Sequence, residues 1–237
     1  MCPEGVPPPP PALLWEGHPP PSISHILAGG FPGIQYLRKK LHLSVRNERM
    51  ERPALLIIDM QNDFVLDGAP LKVAQARTVV PKILEVINRF RAKKLPVFHI
   101  LRVHRKDGSD VEIIRQDRFK LQPFAVEGTH GAAVIRELSP LPGEYVIRKT
   151  RMSAFIGTEL DLMLRNLDVS DLVVTGIQTP NCVRTTVFDA IAYNHPVVLV
   201  EDAVGAQNDE IHAANVRDMA NIGVRVHTVR DVLQMLG

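Results

Sequence analysis

Cysteine is nearly missing from this chain: there are two in 237 residues, one of them at position 2. Two thiols cannot build the disulfide framework of a small secreted domain, so a reducing, cytoplasmic setting is expected. Charge of one sign is missing as well. The formal net charge is +2, with the lysines and arginines spread along the chain, which argues against a basic face that grips nucleic acid. No apolar run approaches the roughly 20 residues of a membrane-spanning helix, so no membrane partner is expected. What is present is 45% hydrophobic and 23% charged, which fits one soluble domain with a well-filled core.

The first 50 residues differ from the rest. Ten of the 19 prolines fall within residues 1–32, and proline fixes φ and removes backbone donors, so this stretch should be extended or disordered. Residues 34–49, IQYLRKKLHLSVRNER, are basic and suit a short amphipathic helix. Two readings stand: an organellar, plastid-type transit peptide, or an upstream extension before a folded part that starts at Met50. The folded domain is placed at 51–237, and the boundary at about residue 50.

Beyond that boundary, short apolar runs alternate with helical patterns. Strands are expected at 54–59, 96–101, 145–148, 171–176, 196–201 and 224–229, apolar on both faces and rich in Val and Ile. That pattern belongs to strands covered on both sides by helices. Helices are expected at 78–94, with Val80, Ile83, Ile87 and Phe90 on one face; at 158–167, capped by Thr158; and at 209–222, with a stripe of Ile211, Ala214 and Met219 ending at Gly223. Residues 102–144 break the rhythm as a long excursion over one edge. The fold class is α/β, doubly wound around a mostly parallel sheet.

Ligands of such sheets bind beyond the carboxyl ends of the strands. Three reactive side chains stand there. Asp59 ends the first strand, Lys149 follows the third, and Cys182 opens the helix after the fourth. Each alone has an ordinary explanation as a turn residue, a solvated lysine or a small buried hydrophobe. Together they supply what a thiol of ordinary pKa, near 8.5, needs at neutral pH: a base and a stabilising cation. In TPNC, Thr179 reads as an N-cap and Pro180 as the first helical residue, which puts Cys182 in a first turn whose free N–H groups favour an anion.

The segments IIDMQNDF, RKTRMSAFIGTELD and VVTGIQTPNCVRTTVFDA closely resemble the signature segments of the isochorismatase-like cysteine hydrolases, which include nicotinamidases, N-carbamoylsarcosine amidase and ureidoacrylate hydrolase. The resemblance runs from residue 53 to about 230. RVHRKDGSDVE and GIQTPNC look most like a plant nicotinamidase-like branch. The resemblance implies a six-stranded parallel sheet in the order 3-2-1-4-5-6 with helices on both faces. It implies an Asp59–Lys149–Cys182 triad, a cis peptide between Ile177 and Gln178, and an oxyanion hole from the backbone N–H groups of Gln178 and Cys182. It implies cleavage of a small amide, ureido or carbamoyl compound through a thioester on Cys182.

The match departs from the nicotinamidase pattern at the second strand. There the family carries an Asp-x-His metal pair plus a later histidine, whereas this chain reads LRVHR, with Arg102 and Val103 where the aspartate is sought and only His104 present. One imidazole is not a metal site, so neither metal nor other cofactor is expected. Phe64 is a candidate for stacking on a flat substrate or for the core. Arg102, His104 and Arg151 are candidates for orienting a polar substrate group. The expected partners are a small-molecule substrate and further copies of the chain, as a dimer or tetramer. Against the hydrolase stands a second class of function, a catalytically inactive nicotinamidase-like relative that binds a metabolite or partner.

Overall fold

A computed structural model of the chain describes residues 50–237; the expectations for residues 1–49 lie outside the described residues. β1 (Pro53–Ile58) lies at the centre, and the apolar runs that follow give β2 (Val97–Arg102), β3 (Tyr145–Lys149), β4 (Asp171–Ile177), β5 (Val197–Gly205) and β6 (Arg225–His227). All five pairings are parallel and the strand order is β3-β2-β1-β4-β5-β6. The helices are α1 (Asn62–Val65), α2 (Ala76–Ala92), α3 (Gln116–Leu121), α4 (Leu160–Asn166), α5 (Arg184–Ala192), α6 (Asp209–Asn221) and α7 (Val229–Met235). Among the described residues, no helix is long and apolar enough to cross a membrane.

The period of two along each strand sorts the core into two layers. Leu55 and Ile57 point to one side with Val173 and Val198, where α2 buries Val80, Ile83, Ile87 and Phe90, and α7 buries Val229 and Val232. Leu56 and Ile58 point to the other side with Val174 and Leu199, against Leu160 and Leu164 of α4, Val187 of α5, and Val216 and Met219 of α6. Burying one such aliphatic side chain stabilises by about 1.5–3 kcal/mol, so both faces of the sheet are needed.

Several local expectations are corrected. β5 runs on to Gly205 because a register shift between Val174 and Gly176 lets Val204 and Gly205 pair with Gly176 and Ile177. At Gly176, φ is +106° and a Cβ would meet the Ile58 carbonyl oxygen at 2.2 Å, so only glycine fits this bulge. β6 stops at His227 because Thr228 caps α7, accepting from the Asp231 amide while Asp231 accepts from the Thr228 amide. In α6, Ile211 is exposed, and the stripe consists of Val216 and Met219, with Gly223 closing the helix at φ +97°. Glu159 rather than Thr158 is the N-cap of α4, although the Thr158 hydroxyl accepts from the Leu160 amide at 3.3 Å. Residues 103–144 are anchored beyond the carboxyl ends of β1 and β2 and also reach the edge strand β3, where Glu127 pairs with Arg148. The Ile135 amide donates to the Met60 carbonyl, and the His104 amide to that of Ala125.

Candidate active site

β1 and β4 are neighbours, paired Ile58 to Gly176, so the residues that follow them share one end of the sheet. Asp59 follows β1 with φ +53°, a left-handed conformation that aspartate tolerates better than most residues. Its amide donates to the Ile100 carbonyl at 2.8 Å, and its own carbonyl accepts from Gln61, making a sharp turn. Gln61 in turn holds the end of β2. Its Nε2 donates to the Arg102 carbonyl at 2.7 Å, and its Oε1 accepts from the Arg102 amide at 2.8 Å.

Lys149, the last residue of β3, pairs in register with Arg102. Its ammonium is buried and donates to Asp59 Oδ2 at 2.9 Å and to the Arg151 carbonyl at 3.2 Å. The other carboxylate oxygen, Asp59 Oδ1, is buried with no hydrogen-bond partner. Such an orphaned acceptor is costly and concentrates at functional sites.

Cys182 sits in a wide π-type turn, Thr179–Val183, that leads into α5. The Val183 and Asn181 amides both donate to the Gln178 carbonyl at 3.1 Å. The N-cap position is Gln178 rather than Thr179, whose hydroxyl bonds His212 Nδ1 at 3.1 Å instead. The peptide between Ile177 and Gln178 is cis. The cation in contact with the sulfur is Arg102, whose Nη2 lies 3.5 Å from Cys182 Sγ. Burial alone would pull that guanidinium down, but Cys182, Asp59 and Glu112 outweigh it and hold Arg102 above its ordinary value.

Asp59, Arg102, Gln178 and Cys182 line one cavity of about 460 Å³. Phe64 lines the same cavity while belonging to the core layer under α2. Sequence reasoning missed Lys72, Arg115, Arg118, Asn181 and Gln207, which complete the wall. The arginines come from the aperiodic stretch after β2, where no pattern marks them. Arg151 is turned away, donating to the Asp110 carbonyl at 2.8 Å and lining a separate surface hollow. The turn EGTHG at 127–131 packs on α1, where His130 meets Asn62.

His104 is also outside the cavity wall, fully buried and edge-on to Phe119 and Phe124. Burial first, and the Arg102 guanidinium second, lower its pKa and favour the neutral ring. Among the described residues no three His, Cys, Asp or Glu side chains gather as metal ligands. His104 Nδ1 has Asp110 Oδ1 at 3.4 Å and feels the Arg102 guanidinium; one imidazole and one carboxylate beside a fixed cation suit a divalent ion poorly, so these residues do not fit the metal site that the resemblance implies for nicotinamidases.

An isochorismatase domain model matches residues 53–231. A "probable inactive nicotinamidase" of Arabidopsis thaliana is 40% identical over 188 residues, covering 78% of this chain and 96% of that protein. The N-carbamoylsarcosine amidase of an Arthrobacter species is 30% identical over 189 residues, covering 78% of this chain and 71% of the relative. Among solved structures, an isochorismatase family protein from Desulfovibrio vulgaris superposes with a TM-score of 0.75 at 43% identity, covering 78% of this chain and 99% of that one. The domain match spans nearly all the described residues, and the chain belongs to the isochorismatase family.

Proposed function

We propose that this protein is a metal-independent cysteine hydrolase that cleaves a small amide, ureido or carbamoyl compound through a thioester on Cys182. The observation that carries the reading is the Asp59 carboxylate. One oxygen is held by Lys149 at 2.9 Å and the other is buried and unpartnered, on a residue that lines the same cavity as Cys182. Asp59 Oδ1 takes the thiol proton, and Cys182 attacks the carbonyl carbon. The oxyanion is received by the backbone N–H groups of Gln178 and Cys182. Asp59 returns the proton to the departing amine or ammonia, and water then opens the thioester with Asp59 as base.

The cavity wall favours a substrate with a negative charge. Lys72 on it is paired with Asp67, Arg102 with Glu112 and the single carboxylate Asp59 with Lys149, which leaves Arg115 and Arg118 as its charges without a salt-bridge partner among the described residues. Arg118 spends its Nη2 on the Pro70 carbonyl and Gln122, not on an acid. An N-carbamoyl or ureido acid suits such a wall better than neutral nicotinamide.

The second reading, a binding protein without turnover, has the name of the Arabidopsis relative in its favour. A panel of small amides, N-carbamoyl acids, ureido acids and nicotinamide, assayed for ammonia release, separates the two. Turnover of at least one acid, lost in Cys182→Ser, is expected. Folded protein that releases nothing from any of them would remove the hydrolase reading.

A further inference from the structure

Arg102 is 1% exposed, which makes it the largest fully buried side chain among the described residues. A guanidinium is held at such a place only by close partners, because removing it from water costs several kcal/mol. Glu112 is the main one. Arg102 Nη1 lies 2.7 Å from Glu112 Oε1 and 2.9 Å from Oε2, and 3.4 Å from the Thr150 carbonyl. A structural ion pair would satisfy this much. The geometry holds something more. An arginine fork usually offers two nitrogens to the two oxygens of a carboxylate, but here both oxygens of Glu112 are taken by Nη1. That leaves Nη2 turned towards Cys182 Sγ at 3.5 Å.

We propose that Arg102 is a catalytic residue, donating an Nη2–H to the Cys182 sulfur and stabilising the thiolate, and that Glu112 is the positioning residue that fixes this orientation. The inference rests on the reading of Cys182 as the nucleophile. The proton balance is simple: the thiol proton passes to Asp59 Oδ1, Arg102 keeps all of its own, and the negative charge on sulfur lies against the guanidinium until the C–S bond forms. Lys149 then serves Asp59, to which it is bonded, while the sulfur has its own cation. This differs from a substrate-orienting role for Arg102, which would leave the free protein's thiol untouched.

The test therefore uses no substrate. Cys182 is alkylated with iodoacetamide at pH 7 and pH 10, and the rates are followed by peptide mass mapping with Cys2 as an internal reference. The readout is the ratio of the two rates, because a change in access to the sulfur alters both alike. Arg102→Met should lower the pH 7 to pH 10 ratio for Cys182 about 10-fold, the order expected from one lost charge-assisted hydrogen bond, and leave Cys2 unchanged. Glu112→Asp keeps both charges but shortens the carboxylate arm that orients the guanidinium, and should lower the ratio about 3-fold, which carries the test if Arg102→Met does not fold. A ratio unchanged in Glu112→Asp and in any folded Arg102→Met would overturn the proposal. Turnover plays no part here, so that result leaves the hydrolase reading standing. An inert substrate panel removes that reading without touching the ratio.

Discussion

Lys149 Nζ lies 2.9 Å from Asp59 Oδ2 with both side chains buried, and nothing among the described residues hydrogen-bonds Asp59 Oδ1. The pair is thus held at one oxygen and open at the other, the state that the proposed role of Asp59 as base requires. Removing either partner leaves an uncompensated buried charge, at a cost of about 3–5 kcal/mol. Lys149→Met and Asp59→Asn should each lower the urea midpoint, and the double variant should recover much of the loss. Turnover should fall in all three, by about 10²–10⁴-fold where only the base is lost. Additive losses of stability in the double variant would show that the two residues are not coupled.

Gly176 is the joint that brings β4 against the end of β1. A Cβ there would stand 2.2 Å from the Ile58 carbonyl oxygen, whereas at Gly128, also at positive φ, it would meet nothing within 4 Å. Gly128→Ala should cost about 1–2 kcal/mol, the left-handed backbone penalty alone. Gly176→Ala should cost clearly more and abolish activity. Equal losses in chemical denaturation would contradict the close approach.

Acid should weaken the fold in two stages. His99 is buried, and burial lowers its pKa despite Glu144 at 2.8 Å. The unfolded chain therefore binds a proton that the native state resists, and stability is lost as pH falls below about 6.5. Burial pushes the Glu144 carboxyl up, but hydrogen bonds from Arg91, the Leu141 amide and His99 outweigh it and bring it to about 2. Its stabilisation is complete above about 4.5 and disappears towards pH 2. Glu144→Gln should cost about 1–3 kcal/mol at pH 7, and the gap to the parent should narrow as pH falls through that window. A gap that stays constant to low pH would refute the assignment.

The donor set around His104 sets the expectation for metal. The ring has two phenylalanines at its edges and a single carboxylate, Asp110, at 3.4 Å, and burial first and Arg102 second lower its pKa. Hydrolysis should survive prolonged dialysis against a chelator. Stoichiometric zinc or iron in the purified protein, with activity lost on its removal, would overturn this.

The central strands were legible because they are apolar on both faces, so Leu55 with Ile57 and Leu56 with Ile58 each meet a layer of helices. The strand-end rule singled out Asp59, Lys149 and Cys182, and the fold puts Asp59 in contact with Lys149 and in one cavity with Cys182. What sequence could not show is which partner each side chain would take. Arg102 and Cys182 are 80 positions apart, and no periodicity relates them; the sequence offers Arg102 only as a candidate for orienting a substrate group. Arg115 and Arg118 sit in a stretch whose path is set by tertiary anchors, such as the Ala125 amide on Asp63 Oδ2 at 2.7 Å. At Thr179–Val183 the sequence predicts an ordinary helix start because Thr-Pro mimics a cap, whereas the Thr179 hydroxyl is committed to His212.

The central claim is that Cys182 becomes covalently acylated during turnover. Its most direct test is peptide mass mapping of the protein quenched in acid while it is turning over a small acid amide or ureido acid. The expected result is an acyl adduct on the peptide spanning 175–190, absent from Cys182→Ser, which should also lose turnover. Sustained turnover by Cys182→Ser, with no adduct on the parent protein, would contradict the account.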